Sequence, residues 1–217
     1  MRNQFTPKFE ELPSVISLFP LKGAVVLPHG QLLLNIFEPR YLNMVFDAIS
    51  GDRLLGMIQP RETPKEQIDN IHHTGCAGRI VSFSETRDDR VVLLLSGVSR
   101  FDIDHELQLH NSYRRAEVSW RRFSHDLDDE QIDFDRDQLL SLAKVYLEHH
   151  RLAVEWSSLS NLKFPELVDT LASSLPFSPR EKQGVVETLT IQGRCELIAA
   201  LCKFTAGHSM VGEDRAH

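Results

Sequence analysis

The sequence predicts an α+β protein: a curled β-sheet or small barrel over residues 13–123, followed by a helical bundle over residues 138–206. Three features of the chain point there. Short apolar runs broken by proline and glycine fill the first half, as in Leu18-Phe19-Pro20-Leu21 and Val25-Val26-Leu27-Pro28. From about residue 135 the apolar residues recur at helical spacing instead. Between the two parts, residues 124–137 are acidic and sparse in apolar side chains, which reads as a solvated linker.

Residues 1–12 form a loose lead-in with Phe5 and Phe9 as its apolar anchors. Val15-Ile16-Ser17-Leu18, then 24–27 and 31–37, read as strands. Prolines sit at their ends because proline cannot donate to a ladder. The period changes at Pro39: Tyr41, Leu42, Val45, Phe46 and Ile49 share a helical face, and Gly51 suits the position past the last turn. Leu54-Leu55-Gly56-Met57-Ile58 resumes as a buried strand, and residues 61–70 read as a polar surface loop. Residues 75–85 and 91–97 flank a polar turn and form a hairpin. Residues 98–107 continue in alternation. Ala116, Val118 and Trp120 then take one face of a further strand, and Glu117, Ser119 and Arg121 the other. Seven or eight strands and one helix result, enough for a sheet to curl.

The helical part opens at about Asp135, with Leu139, Leu142, Ala143 and Tyr146 on one face, and runs to Leu152. Phe164, Leu167, Val168, Leu171, Ala172 and Leu175 form a second stripe, ended by Pro176. Ser178-Pro179-Arg180-Glu181 combines a capping box with proline at the first helical position, so a third helix starts there and turns Val185, Val186 and Leu189 inward. A last helix covers 191–205, with Cys195, Ile198, Leu201 and Cys202 on its stripe; residues 207–217 read as a frayed polar tail.

Composition narrows the function. The net charge of −7 weighs against a nucleic-acid partner, whose phosphates call for Lys and Arg, and against anionic lipid. No apolar run is long enough to span a bilayer, and the N-terminus has no signal-peptide core, so a cytoplasmic protein is expected. Three scattered cysteines do not make a disulfide framework.

The common catalytic patterns are missing. No glycine-rich loop ends in Lys-Ser or Lys-Thr, and Gly75-Cys76-Ala77-Gly78 is too short for a dinucleotide fingerprint. Gly97-Val98-Ser99-Arg100-Phe101 is half of a nucleophile elbow, and Ser99 reads as an outward-facing strand residue. His72, His73 and Cys76 fall short of a zinc ligand set, and the acidic stretch lacks the central glycine of a calcium loop. No metal, cofactor or catalytic residue is therefore expected. Arg114, Arg115, Arg121 and Arg122, interleaved with Tyr113, Trp120 and Phe123, are the one candidate RNA-binding group.

The ordered set of motifs resembles the N-terminal, substrate-binding domain of the Lon proteases. Leu18-Phe19-Pro20-Leu21 and Val25-Val26-Leu27-Pro28 match its "LPLFPL…VVLFP" opening. Gly75-Cys76-Ala77-Gly78-Arg79-Ile80 matches a "GT.A.I" strand, and the run from Leu93 through Gly97 to Arg100 matches "L.V.G..R". The similarity extends over about residues 13–206. It implies a PUA-like β part completed by a small helical bundle. It implies polypeptide as the partner, with an adaptor role beside a protease or chaperone, and it brings no catalytic residues. ATPase motifs and the protease dyad are lacking, so a free-standing, non-catalytic domain acting as a monomer or weak homo-oligomer is expected. A binding surface would need exposed apolar groups, for which Phe37, Tyr41 and Met57 are the candidates.

Overall fold

The computed structural model describes residues 6–61, 70–128, 131–154 and 156–212. Residues 1–5 of the expected lead-in, 62–69 of the expected loop, 129–130 of the expected linker and 213–217 of the expected tail lie outside the described residues.

Six strands form one mixed sheet: β1 (Val15–Pro20), β2 (Gln31–Ile36), β3 (Leu54–Ile58), β4 (Thr74–Glu85), β5 (Val91–Glu106) and β6 (Arg114–Ser119). β5 is long enough to bend the sheet onto itself. One of its edges pairs with β4, and the other is shared between β2 (Val91 to Ser96) and β6 (Asp102 to Glu106). The ring β5-β4-β3-β1-β6 thereby closes, with β1 and β3 the parallel pair, and β2 is left as an outer strand. Ile16, Leu18, Ala77, Val98, Phe101, Ala116 and Trp120 fill the ring, with the Phe101 and Trp120 rings edge to face at 5.6 Å. Helix α1 (Pro39–Ser50) covers a second apolar layer, burying Met44 and Val45 against Ile36, Leu55, Ile80 and Leu95. Each fully buried side chain of this size contributes about 1.5–3 kcal/mol.

Residues 98–107 continue 91–97 as expected, within the single strand β5, which ends at Glu106. One strand expectation changes: among the described residues, 24–27 pair with no strand and are not one. Their alternation has another cause. Val25 and Leu27 point into the helical core and Val26 into the sheet core, so the segment is a wedge between two apolar layers. A buried two-sided segment and a strand share a period of two, and only ladder partners tell them apart.

The helices are α2 (Arg136–His149), α3 (Trp156–Ser160), α4 (Phe164–Ser174), α5 (Pro179–Glu187) and α6 (Ile191–Gly212). Asp135 caps α2 by accepting from the Asp137 and Gln138 amides. Ser178 and Glu181 form the reciprocal box at the start of α5. Leu139, Leu167, Val168, Val185, Cys195 and Ile198 build the helical core. The short α3 lies outside the expected pattern, and α6 runs past Thr205 through Gly212. Leu189, expected to face inward, is 47% exposed because α5 ends at Glu187. Among the described residues, no helix is long and apolar enough to cross a membrane.

Sheet and helices meet across a polar seam. Gln59 accepts from Gly23 N and donates to the Pro179 carbonyl and to Gln183, which in turn donates to the Thr74 carbonyl. Lys182 donates to the Gly23 and Ser173 carbonyls, and burial lowers its pKa. Deeper lies an ionic chain. Arg100 from β5 grips Asp126, its Nη2 2.6 Å from Oδ1, and donates to the carbonyls of Val186, Thr188 and Leu189 at the α5–α6 turn. Arg194 of α6 pairs with Asp169 of α4, which accepts the His29 amide. The solvated-linker expectation therefore fails at its start: residues 121–127 form a 3-10 segment that carries Asp126 and Leu127 into the interior. Two Asp offset two Arg, so the buried chain is neutral overall.

Candidate functional site

The seam leaves an opening between sheet and helices, about 500 Å³, rimmed by His29, Gln31, Ser96, Asp126, Glu166 and Thr170. Its lining is largely polar, which suits water better than an apolar ligand. A different depression, about 560 Å³, lies at the mouth of the ring. Pro20 and Pro60 border it. Pro20 stands opposite Ile58 at the end of the β1–β3 register, Leu21 N donates to the Ile58 carbonyl just beyond it, and Pro60 bridges to Ile71. Ile71, Leu109, Tyr41 and Tyr113 add apolar surface, and Arg40, Arg114 and Glu106 add charge.

Local interactions set this shape. Tyr41 sits on the first turns of α1, with its ring 4.4 Å from Phe19 and the Arg40 guanidinium 4.5 Å above it. Arg40 is tied to Glu38 at 2.8 Å. Arg114 grips Glu106 through two 2.7 Å bonds. Such exposed pairs contribute at most about 1 kcal/mol each, so their effect here is to orient the guanidinium groups. The turn carrying Leu109 is pinned to α1, because Asp47 accepts from Asn111 Nδ2 at 3.0 Å and from Tyr113 Oη at 2.9 Å. Asn111 and Ser112 both have positive φ, 46° and 69°, and these bonds offset that cost. Burial pushes up the pKa of both Tyr41 and Tyr113, with the Asp47 hydrogen bond adding to the second, so both phenols stay neutral. Leu109 is 68% exposed on the rim.

The candidates named from sequence separate. Tyr41 lines the depression. Phe37 is exposed just outside α1, with Arg90 5.6 Å from its ring centroid. Met57 is 3% exposed inside the β3 layer, so it is withdrawn as a contact residue: a strand buried on both faces offers no side chain to a partner. The four arginines do not form one face. Arg114 and Arg115 are consecutive in β6 and project to opposite sides. Arg114 is bound to Glu106, and Arg122 lies 3.3 Å from Asp102 and over the Phe123 ring. Arg121 is exposed, and Arg115 is half-buried. Leu109 and Pro60 were missed because their role depends on which turns meet at the ring mouth. Pro20 alone had a local signal, the strand–proline boundary.

The residues weighed for chemistry are ordinary. Ser99, expected to face outward, is fully buried and donates to the Arg100 carbonyl. Cys76 is buried in β4, and its thiol pKa is pushed well up by burial. His72 lies 3.9 Å from Glu187, and burial lowers its pKa. Among the described residues, no cluster of three His, Cys, Asp or Glu could hold a metal. Cys195 and Cys202 are buried with pKa values raised to about 11 and about 12. All three thiols are therefore expected to resist a thiol reagent at pH 8 in the native protein and to react fully in denaturant, as absorbance titration would read. Rapid native labelling of one or more would contradict the packing.

A family model described as the ATP-dependent protease La (LON) substrate-binding domain matches residues 15–203. The Lon protease of Anaeromyxobacter dehalogenans is 24% identical over 197 residues, covering 88% of this chain and 23% of that protein. Lon protease 2 of Myxococcus xanthus is 24% identical over 197 residues, covering 88% and 24%. The chain thus spans about a quarter of the length of these curated relatives. Among solved structures, a Lon N-terminal domain protein from Xanthomonas campestris superposes with a TM-score of 0.58 at 25% identity, covering 87% of this chain and 98% of that one. The N-terminal domain of a Mycobacterium avium complex Lon protease superposes at 0.60 with 14% identity over 87% and 98%, a likeness of fold alone. With the match reaching from β1 into α6 and taking in the closed ring, the wedge and the helices behind it, the chain belongs to the family of the Lon substrate-binding domain.

Proposed function

We propose that this chain recognises polypeptide, taking exposed apolar segments of other proteins into the depression around Tyr41, and serves a proteolytic or quality-control assembly as its reading part. On this reading the closed ring is of the PUA-like kind, residues 13–123 carry recognition, residues 138–206 brace it, and the chain acts as a monomer or weak homo-oligomer. The observation that carries it is the make-up of the depression. Pro20, Tyr41, Pro60, Ile71 and Leu109 offer apolar surface, while Arg40 and Arg114 are already held by Glu38 and Glu106. Apolar surface ringed by charge admits a hydrophobic side chain and leaves its backbone near polar partners. The family membership supports the same partner class.

Titration of labelled, reduced and carboxymethylated α-lactalbumin is expected to saturate. Replacing Tyr41 and Leu109 together by serine is expected to weaken binding about tenfold or more, which corresponds to about 1.4 kcal/mol. Circular dichroism melting checks that the variant folds. A flat titration of the parent protein would overturn the proposal.

A further inference from the structure

We infer that the open edge of β2 is a strand-addition site, which binds an extended, uncharged polypeptide segment through backbone hydrogen bonds. This rests on the proposal that the chain binds polypeptide, and it names how a segment would be held beside the depression.

Among the described residues, β2 is the outer strand of the sheet and pairs with β5 alone. Its register with β5 is continuous from Gln31↔Ser96 to Ile36↔Val91, without a bulge. The Gly97 amide donates to the Gly30 carbonyl at 2.9 Å, which sets the parity of that ladder. Hydrogen-bonded pairs alternate along antiparallel strands, so Leu32, Leu34 and Ile36 turn their backbone groups toward β5. Gln31, Leu33 and Asn35 then direct theirs to the open side, a row that fits another strand.

Edge strands are usually guarded by charge, proline or a bulge. Gln31-Leu32-Leu33-Leu34-Asn35-Ile36 has none of these, and the first charge and proline come after it, at Glu38 and Pro39. A further stretch of unpaired edge among the described residues, on β4 beyond Ile80, is interrupted by a register shift between Ile80 and Ser82 and ends on Glu85 at a charged turn. Leu33 is 68% exposed, and on the same face it stands opposite the half-buried Leu94, as Asn35 does opposite Val92. An added strand would extend this row with its own alternate side chains. Its preferred sequence is therefore alternating, uncharged and free of proline. Phe37 follows β2 directly in the chain, and Arg40 and Tyr41, which line the depression, follow within α1.

The test uses the full chain and a labelled peptide, Thr-Val-Thr-Leu-Thr-Val-Thr, read by fluorescence anisotropy. Two further peptides carry N-methyl groups on one or the other alternate set of residues. Methylating the set that faces the edge is expected to weaken binding about tenfold or more, and methylating the other set less than about twofold. In the protein, Asn35→Pro removes an outward N–H without touching a bond to β5, and is expected to cause a similar loss. Leu33→Lys adds a guard charge and should do the same. The methylated peptides keep the test valid if either variant folds poorly. Binding that is saturable but indifferent to methylation and to Asn35→Pro overturns the edge site and leaves polypeptide recognition standing. No binding of this peptide or of carboxymethylated α-lactalbumin overturns both. A parent dimer that dissociates on Asn35→Pro, seen by sedimentation, would assign the edge to a second copy of the chain and overturn the inference.

Discussion

Replacing Arg100 by alanine is expected to destabilise the protein by about 3–5 kcal/mol, the range seen when one partner of a buried ion pair is removed. Arg100 and the Asp126 side chain are almost fully buried, at 0% and 1% exposure. Truncation removes the guanidinium and leaves the carboxylate with weaker partners that include the Arg100 backbone amide at 2.9 Å and Arg194 Nη1 at 3.9 Å. It also takes the Arg100 donor from the carbonyls of Val186, Thr188 and Leu189, of which Leu189 keeps His125 Nε2 at 2.8 Å. These belong to the last turn of α5 and the turn after it, where helix carbonyls have no partner of their own. At roughly 2–4 °C per kcal/mol for a chain of this size, the melting temperature should fall by about 6–20 °C. The pair Arg100→Met with Asp126→Leu should lose less than the single change, since no unpaired charge remains. A loss under about 1 kcal/mol for Arg100→Ala, by urea denaturation, would show that the pair does not hold sheet to helices.

Gly97→Ala is expected to cost about 3 kcal/mol or more, at or beyond the upper end of ordinary overpacking. A Cβ at Gly97 would lie 1.8 Å from the Leu27 carbonyl oxygen, 2.6 Å from its carbon and 3.1 Å from Pro28 Cα. All three are backbone atoms, so no rotamer change relieves the clash. The wedge must move away from β5, breaking the Gly97–Gly30 bond and loosening Val25, Val26 and Leu27 in both cores. The same exchange at Gly184 should act in the opposite direction. That glycine is inside α5, its added Cβ would meet only Leu197 Cδ2 at 3.9 Å, and helix propensity favours alanine by about 1 kcal/mol. Thermal melts of the two variants should therefore move oppositely. Equal shifts would count against the wedge geometry.

Much of the fold was legible from local pattern. Pro39, the amphipathic run behind it and Gly51 specified α1 to the residue, because caps and periodicity act within a few positions. The Ser178–Glu181 box did the same for the start of α5. The hairpin of β4 and β5 followed from two apolar runs around a charged turn. The readings that failed needed long-range knowledge. Residues 24–27 alternate like a strand, yet the alternation serves two cores. Asp126 looked solvated because its guanidinium partner lies 26 positions away in the chain. Leu189 looked inward because the helical period was carried two residues past the end of α5.

The candidate site divides in the same way. Tyr41 and Phe37 could be named from sequence because large aromatic residues beside a strand–helix junction stand out locally. Met57, equally apolar, is sealed in, and nothing in its neighbours distinguishes it. The sequence by itself determined most of the elements, the caps of α1 and α5 and the family, since these rest on short-range spacing and ordered motifs. Only the tertiary structure decided which apolar residues face solvent, which arginines are already paired and which strand keeps a free edge. Burial, ion pairing and strand neighbours join residues far apart in the chain, and local periodicity does not carry them.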